Sequence, residues 1–449
     1  MANKLFGTDG VRGVANEFPI NTEFAFCLAE ILSKQVCNEK KKVAIGKDTR
    51  VSGDMLEASL SSGFLANGID VVSLGVVPTP LVTAETKNLD VDMSIMITAS
   101  HNPYFDNGFK LINSDGDKFD DDFYANIEKE IQNYSKNNVT PKAIGKIIKK
   151  ESCVEDYIAR IREIAPNYKA LQGLRVVLDC ANGAYYYILP QIFKDLGAGI
   201  IAINNDPNGY NINEKCGSQH PEALSEIVKE TKADFGIAVD GDGDRIILVD
   251  NQGAIIDGDQ LLCFLATYLQ KHEMLNNNTV ISTEWSNLGL GEYLNKNNFT
   301  YFKSKVGERY VIDLMKEHNA SLGGELVGHI VLSQFAKSGD AAVTAVVIAL
   351  AYLEVKKKMC DIFPIFTPYP CIIENIRFST KEYMQESVEH EDVKDALLEA
   401  KKLLGDNSNL IARKSGTEPV IKLRVEGPDA SLVKTQAEKL KTLIIKYQK

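Results

Sequence analysis

Short apolar runs alternate along this chain with stretches of helical period, the signature of buried strands joined by amphipathic helices. Residues 43–45, 70–74 and 93–97 read as strands, with a helix from Asp54, a suitable N-cap, to Ala66 and Gly68 at its end. Pro78-Thr79-Pro80 reads as a break, and the polar stretch 133–150 as a connection. The rhythm then restarts, with strands at 174–180 and 199–203, helices at 185–196 and 221–231, and an apolar run from Phe235. A third unit begins near Asp259, with helices at 260–270 and 288–295, strands at 279–283 and 301–303, a further helix opening at Lys305, and a buried helix at 340–356. Pro364, Pro368 and Pro370 mark a boundary. Beyond it the expected order is strand 372–378, helix 386–404, strands 409–412 and 420–425, and helix 431–447, with short turns that suit an antiparallel module.

This pattern predicts an α/β chain: three consecutive α/β domains with mixed, mostly parallel sheets, then a C-terminal α+β domain, arranged around one central cleft. At 449 residues the chain is too long for one core. The expected limits are 1–150, 151–256, 257–368 and 369–449.

The apolar run at 235–239 ends in Asp240-Gly-Asp242-Gly-Asp244-Arg245. Three carboxylates at alternate positions, with glycines that let the backbone fold tightly, can converge on one hard cation. A plain turn would need only one such pair. A calcium loop of the EF-hand type shares the first spacings, but its sixth position should be glycine and is Arg245, and its twelfth should be glutamate and is Asn251. Magnesium suits so few ligands better, because a phosphate oxygen and water can complete its shell.

Other loops carry complementary chemistry. Thr98-Ala-Ser100-His101-Asn102-Pro103 follows the strand at 93–97, and ligands of open α/β sheets bind beyond the carboxyl ends of strands. Asn107-Gly-Phe-Lys110 comes soon after, and Phe6-Gly-Thr-Asp-Gly-Val-Arg12-Gly opens the chain. A serine in a loop is commonly a turn residue or cap, and no Gly-x-Ser-x-Gly elbow supports a hydrolase. The glycine-rich turn at 321–329 offers Glu325 and His329 to hydroxyls, although an isolated His and Glu are often structural. Arg413-Lys-Ser415-Gly416-Thr417 combines cations, hydroxyls and a flexible backbone, the makings of a phosphate nest.

Net charge narrows the partners. A charge of −11 and a pI near 5.3 disfavour nucleic acid and anionic membranes, so an anionic ligand must be caught by local cations. The 8 cysteines show no Cys-x-x-Cys pair, which argues against zinc and disulfides. The opening residues have no apolar signal region, and the longest apolar stretch, 341–353, is too short to span a bilayer. A cytoplasmic protein is expected.

Four polar loops of different chemistry, in this order, resemble those of the α-D-phosphohexomutases, and the resemblance covers the whole chain: 98–103, 240–245, 323–329 and 413–419. Phe6-Gly-Thr-Asp-Gly-Val-Arg-Gly, Gly46-Lys-Asp-Thr-Arg50 and Asn211-Ile-Asn-Glu-Lys-Cys-Gly-Ser218 are most similar to the branch acting on glucosamine phosphates. The resemblance implies a phosphorylated Ser100, one magnesium ion per subunit on Ser100, Asp240, Asp242 and Asp244, a hexosamine phosphate substrate, and a glucosamine 1,6-bisphosphate intermediate. It implies that Arg12, Lys110 and Arg245 line the transfer point, with Lys110 or His101 carrying protons. Glu325, Val327 and His329 would meet the sugar, Arg413, Ser415, Gly416 and Thr417 the distant phosphate, and the chain would form a homodimer through its first domain. Val327 stands where the family usually has serine, which removes a hydroxyl worth about 0.5 to 1.5 kcal/mol per hydrogen bond and bears on sugar choice. Lys414 stands where proline is common, and Lys422 where arginine is. Mutases of neutral hexose phosphates and a non-catalytic sugar-phosphate sensor are the alternatives.

Overall fold

The computed structural model describes residues 4–37, 39–134, 144–150, 152–414 and 419–447. Its described strands form four sheets. The first joins β1 (Val11–Val14), β2 (Lys42–Lys47), β3 (Asp70–Val76), β4 (Met93–Ile97), β5 (Asp106–Asn113) and β6 (Ile147–Lys149) in the order β1-β5-β4-β2-β3-β6. The β4-β2-β3-β6 portion is parallel, while β5 runs antiparallel to both β4 and β1. The second sheet has β7 (Arg175–Asp179), β8 (Gly199–Ile203), β9 (Phe235–Val239), β10 (Ile246–Asp250) and β11 (Ile255–Ile256), ordered β11-β10-β9-β7-β8. The third has β12 (Thr279–Thr283), β13 (Thr300–Ser304), β14 (Leu322–Gly324) and β15 (Ile330–Leu332), ordered β13-β12-β14-β15, with β14 and β15 antiparallel. These three sheets belong to one compact body, Thr8–Trp285 with Phe299–Ile365.

The central strands are those with the most continuous apolar sequence. Every residue of β4 and of β9 is buried, as strands covered on both faces must be. The helix Ala341–Val355 is apolar all round and correspondingly buried. Asp340 starts it by accepting from the N–H groups of Ala342 and Val343, each at 3.0 Å.

A second body comprises Met1–Gly7, Ser286–Asn298 and Phe366–Lys449. Its sheet contains β16 (Cys371–Arg377), β17 (Asn409–Lys414) and β18 (Val420–Glu426), ordered β16-β18-β17 and wholly antiparallel. The core behind it includes Ile376, Leu423, Val425, Leu440 and Ile444. Glu426 pairs with Arg424 at 3.0 Å and accepts the Leu288 N–H at 2.9 Å, which binds the helix Leu288–Lys296 into this body.

Several expectations need correction. Asn107 to Lys110 is not loop but part of β5, whose register puts Lys110 opposite Met96 of β4. The tail of the supposed connection forms edge strand β6 beside β3. Pro80 opens the helix Thr79–Asn88, because a proline in the first turn forfeits no helical hydrogen bond. The helix expected from Lys305 starts at Glu308, after Gly307 at φ 126°. The helix expected over 386–404 is two, Lys381–Glu389 and Glu391–Leu404. His390 between them is extended at ψ 135°, and its ring accepts the Asp392 N–H at 3.2 Å. Met384 before the break and Val393, Ala396 and Ala400 after it join one apolar core, so the apolar period runs on across it.

Candidate active site

The loops beyond β4 and β9 meet. Ser100 is fully buried, and its Oγ donates to Asp240 Oδ2 at 2.6 Å. The backbone at Ser100 is left-handed, φ 53°, a conformation that costs a non-glycine residue energy and must be held by its surroundings. Its N–H donates to Thr98 Oγ1 at 2.8 Å, and Thr98 in turn donates to the buried Asp48 at 2.6 Å. Close approach explains the glycines of the aspartate loop. A Cβ on Gly241 would lie 2.8 Å from the Ser100 carbonyl oxygen, and one on Gly243 would lie 2.3 Å from the Tyr185 ring.

Asp240, Asp242 and Asp244 are buried, each offering an oxygen within 4.8 Å of the others. Burial, then repulsion from Asp244 and Asp242, raises the Asp240 carboxyl well above its usual range. Lys110, buried on β5, donates to Asp242 Oδ2 at 2.7 Å and to Asp244 Oδ2 at 2.8 Å. Thr79 Oγ1 adds a third donor, at 2.5 Å from Asp242 Oδ2. Among the described residues, Asp242 Oδ1 has no hydrogen-bond partner, and Asp244 Oδ1 makes only ion pairs of 3.7 Å with Arg245 and His329. Three buried carboxylates with oxygens left over fit a hard divalent cation, because one ion would relieve their repulsion and use the spare lone pairs.

A ring of alternating charge links these groups to residues that local patterns did not single out. Lys110 lies 3.3 Å from Asp9, Asp9 pairs with Lys118, Lys118 with Glu308, Glu308 with His329 at 2.8 Å, and His329 with Asp244, which returns to Lys110. Burial opposes charge on His329, but Glu308 and Asp244 outweigh it and raise the imidazole to about 10, so it is a cation at neutral pH. His101 is the opposite case. Burial, then the neighbouring Arg245 and Arg12, lowers it to about 3, and the neutral ring faces Arg245 Nη1 through Nδ1 at 3.0 Å. Arg12 pairs with Asp9 at 2.5 Å and reaches the Ala99 carbonyl at 3.4 Å.

Glu325, Val327 and His329 lie on the turn between β14 and β15. The turn is tied to the aspartate loop by the Ile246 N–H, which donates to the Gly328 carbonyl at 3.0 Å. Glu325 accepts the Gly307 N–H at 3.1 Å, whereas the Val327 side chain is exposed and offers no polar atom. The structure thus gathers Arg12, Ser100, His101, Lys110, Asp240, Asp242, Asp244, Arg245 and His329 in one polar network. Arg413 lies on β17 of the other body, and Ser415, Gly416 and Thr417 fall outside the described residues. Asp9, Lys118, Glu308, Asp48 and Arg50 were missed as site residues. Asp9 shares a glycine-rich segment with Arg12, and Asp48 and Arg50 stand within the quoted Gly46 to Arg50 motif, so two signals were present.

Comparison with known proteins adds an independent line. Models of the phosphoglucomutase/phosphomannomutase family match in sequence order: alpha/beta/alpha domain I over residues 3–138, domain II over 155–253, domain III over 257–369, and the C-terminal domain over 375–443. The chain is 43% identical over 442 residues to a Brucella ovis phosphoglucosamine mutase, covering 96% of each. Its fold is similar to that of a phosphoglucomutase/phosphomannomutase family protein from Burkholderia thailandensis, with TM-score 0.80 at 23% identity over 100% of this chain and 98% of that one. It is similar too to Aspergillus fumigatus N-acetylphosphoglucosamine mutase, solved with GlcNAc-6P and magnesium, with TM-score 0.68 at 14% identity over 100% and 96% of the two chains. With all four family segments matched and a relative of this identity aligned nearly end to end, the chain belongs to the phosphoglucomutase/phosphomannomutase family of phosphoryl-transferring mutases.

Proposed function

We propose that this mutase interconverts glucosamine 6-phosphate and glucosamine 1-phosphate, with Ser100 as the phosphoryl carrier. In the forward half-reaction the bond from phosphorus to Ser100 Oγ breaks while one to the sugar O1 forms, giving glucosamine 1,6-bisphosphate. The sugar hydroxyl loses its proton and Ser100 Oγ recovers one. After the bisphosphate turns round, the bond from phosphorus to sugar O6 breaks as one to Ser100 Oγ forms, Ser100 Oγ gives up its proton, O6 takes one, and glucosamine 1-phosphate leaves. One site serves both halves, because the two ends of the bisphosphate exchange places.

What supports this reading is the 2.6 Å junction between Ser100 Oγ and Asp240, where a transferable group would face both the acidic cluster and its cations. Phosphoryl transfer asks a protein mainly for alignment and charge neutralisation, and Lys110, Arg12 and Arg245 supply positive charge around that point. Asp240, Asp242 and Asp244 would hold magnesium together with an oxygen on Ser100; when bound, the ion withdraws charge from the phosphoryl oxygens. Lys110 or His101 would carry the protons, His101 as the uncharged partner of Arg245 or Lys110 as the ammonium between carboxylates. Glu325 and His329 would meet sugar hydroxyls, while Val327 offers only apolar contact. The loop from Arg413 with Ser415, Gly416 and Thr417 is assigned the non-reacting phosphate on its donor chemistry. A homodimer through the first domain and a cytoplasmic setting belong to the same proposal; no described helix is long and apolar enough to cross a membrane.

The test is intact-mass measurement of purified wild-type protein and Ser100→Ala, with turnover of glucosamine, glucose and mannose 6-phosphates. We expect one phosphate on Ser100, none in the variant, and highest kcat/KM for the amino sugar. An active, unphosphorylated Ser100→Ala would refute the carrier, and equal or better use of the neutral sugars would refute the substrate.

A further inference from the structure

Two of the quoted motifs, Gly46 to Arg50 and Asn211 to Ser218, have no place in the chemistry above, and their side chains converge on the backbone of the serine loop. Arg50 is buried, with Nε on Asp48 at 2.9 Å. Its Nη1 reaches the carbonyls of Pro103 and, at 3.0 Å, Asp106. Its Nη2 donates to the Ser100 carbonyl at 3.0 Å and to the Asn102 carbonyl at 2.8 Å. All five N–H donors of the guanidinium are thereby used, four of them on one seven-residue segment. From a separate segment, Asn213 Nδ2 donates to the same two carbonyls, Ser100 at 2.8 Å and Asn102 at 3.0 Å.

Asn213 is itself held. Its backbone is left-handed, φ 58°, and its N–H donates to the Ala181 carbonyl at 2.9 Å. Asp179 at the end of β7 accepts the N–H groups of Ala181 at 3.0 Å and Gly217 at 2.8 Å, which fixes both the turn that receives the Asn213 N–H and the chain just after Asn213. The residues flanking Arg50 reach the loops after β7 and β8, since Thr49 Oγ1 donates to the Asn182 carbonyl at 2.6 Å and the Val51 N–H to the Gly209 carbonyl at 3.0 Å.

We infer that Arg50 and Asn213 are positioning residues that clamp the Ser100 and Asn102 carbonyls from two separate segments, holding Ser100 in its left-handed conformation with Oγ aimed at the aspartate loop. Among the described residues, neither side chain makes a hydrogen bond or ion pair with Ser100 Oγ or an aspartate of the triad. Each acts through the serine loop backbone. A left-handed serine relaxes once its carbonyl is released, and a small displacement of a reacting oxygen is costly when alignment is the main source of rate. Asn213 adds a second consequence: its loop, which follows β8, is anchored beside β7, the neighbour of the β9 strand that leads into Asp240, so it ties the serine loop to that sheet.

The inference rests on Ser100 being the phosphoryl carrier, and the experiment separates the two. Asn213→Asp keeps the shape and tolerates the backbone while turning an oxygen toward both carbonyls; Asn213→Gly removes the side chain without a left-handed penalty. Arg50→Lys keeps the charge but loses the planar fork. Wild type and variants are dephosphorylated with a phosphatase and then loaded with glucose 1,6-bisphosphate, phosphate on Ser100 is followed by intact mass, and kcat, KM and the melting temperature are measured. We expect both Asn213 variants to melt near wild type, to load Ser100 more slowly, and to lose roughly 10- to 100-fold in kcat with KM changed less than about twofold. Arg50→Lys should move in the same direction. Wild-type loading and kcat in the Asn213 variants would overturn the clamp, as would a raised KM at unchanged kcat, or a loss of activity that only follows unfolding. A wild type that carries no phosphate on Ser100 either as purified or after loading would instead overturn the carrier assignment.

Discussion

Replacing Lys118 with methionine tests whether the charge ring is a single structural unit. The Lys118 side chain is 13% exposed and pairs with Glu308, 6% exposed, and Asp9, 28% exposed. Removing one partner of a buried pair costs about 3–5 kcal/mol, because the charge left behind has lost its compensation. Here the lower end applies. Asp9 keeps Arg12 and Lys110 and is partly solvated, and Glu308 keeps His329 at 2.8 Å. We therefore expect Lys118→Met to cost about 3 kcal/mol, nearly all of it from the under-compensated Glu308 carboxylate. The diagnostic quantity is the coupling. Glu308→Gln removes that charge, so Lys118→Met/Glu308→Gln should cost less than the sum of the single changes by about 1–2 kcal/mol. Urea unfolding followed through Trp285, the chain's single tryptophan, reads the body that contains the ring. A single-variant loss below about 1 kcal/mol, or additivity of the two changes, would show that the charges are solvated individually and that the ring argument fails.

Two further outcomes follow from the same geometry. Asp242→Asn keeps the contacts to Lys110 and Thr79 within reach but removes the charge beside the unpartnered Oδ1, so magnesium affinity by calorimetric titration should fall at least roughly tenfold, the scale known for outer-shell changes; unaltered affinity would contradict the metal assignment. Burial works against an ionised Glu308, yet His329 and Lys118 hold its carboxyl well below its ordinary value of 4.5, so its contribution to stability is present above that value and disappears as pH falls through the lower folded one. The melting-temperature gap between wild type and Glu308→Gln should thus stay level from about pH 6 to 5, where His329 is charged in both folded and unfolded chains, and close below about pH 4; a gap that closes between about pH 6 and 5 would contradict the ion-pair account.

Sequence alone determined the alternation of strands and helices, the change to an antiparallel module after the prolines at 364–370, the aspartate cluster after β9, and Ser100 beyond β4. Each of these is written locally, as a period of apolar residues or as a run of glycine and carboxylate whose chemistry is evident from its neighbours. Lys110 was legible as a cation near the site, but its place on β5 was not, because Asn107-Gly108 looks like a turn until the strand is seen paired on both edges. The His390 break was hidden because the apolar period continues into the next helix. Tertiary structure alone decided the rest. Asp9, Lys118 and Glu308 are charged residues that a sequence presents as solvated, and they become a ring only when segments some 100 to 190 residues apart are packed together. Arg50 and Asn213 likewise meet across 163 positions on carbonyls that no side-chain pattern can advertise. Burial of polar groups is safe only when distant partners arrive in register, and that pairing leaves no periodic trace in the chain.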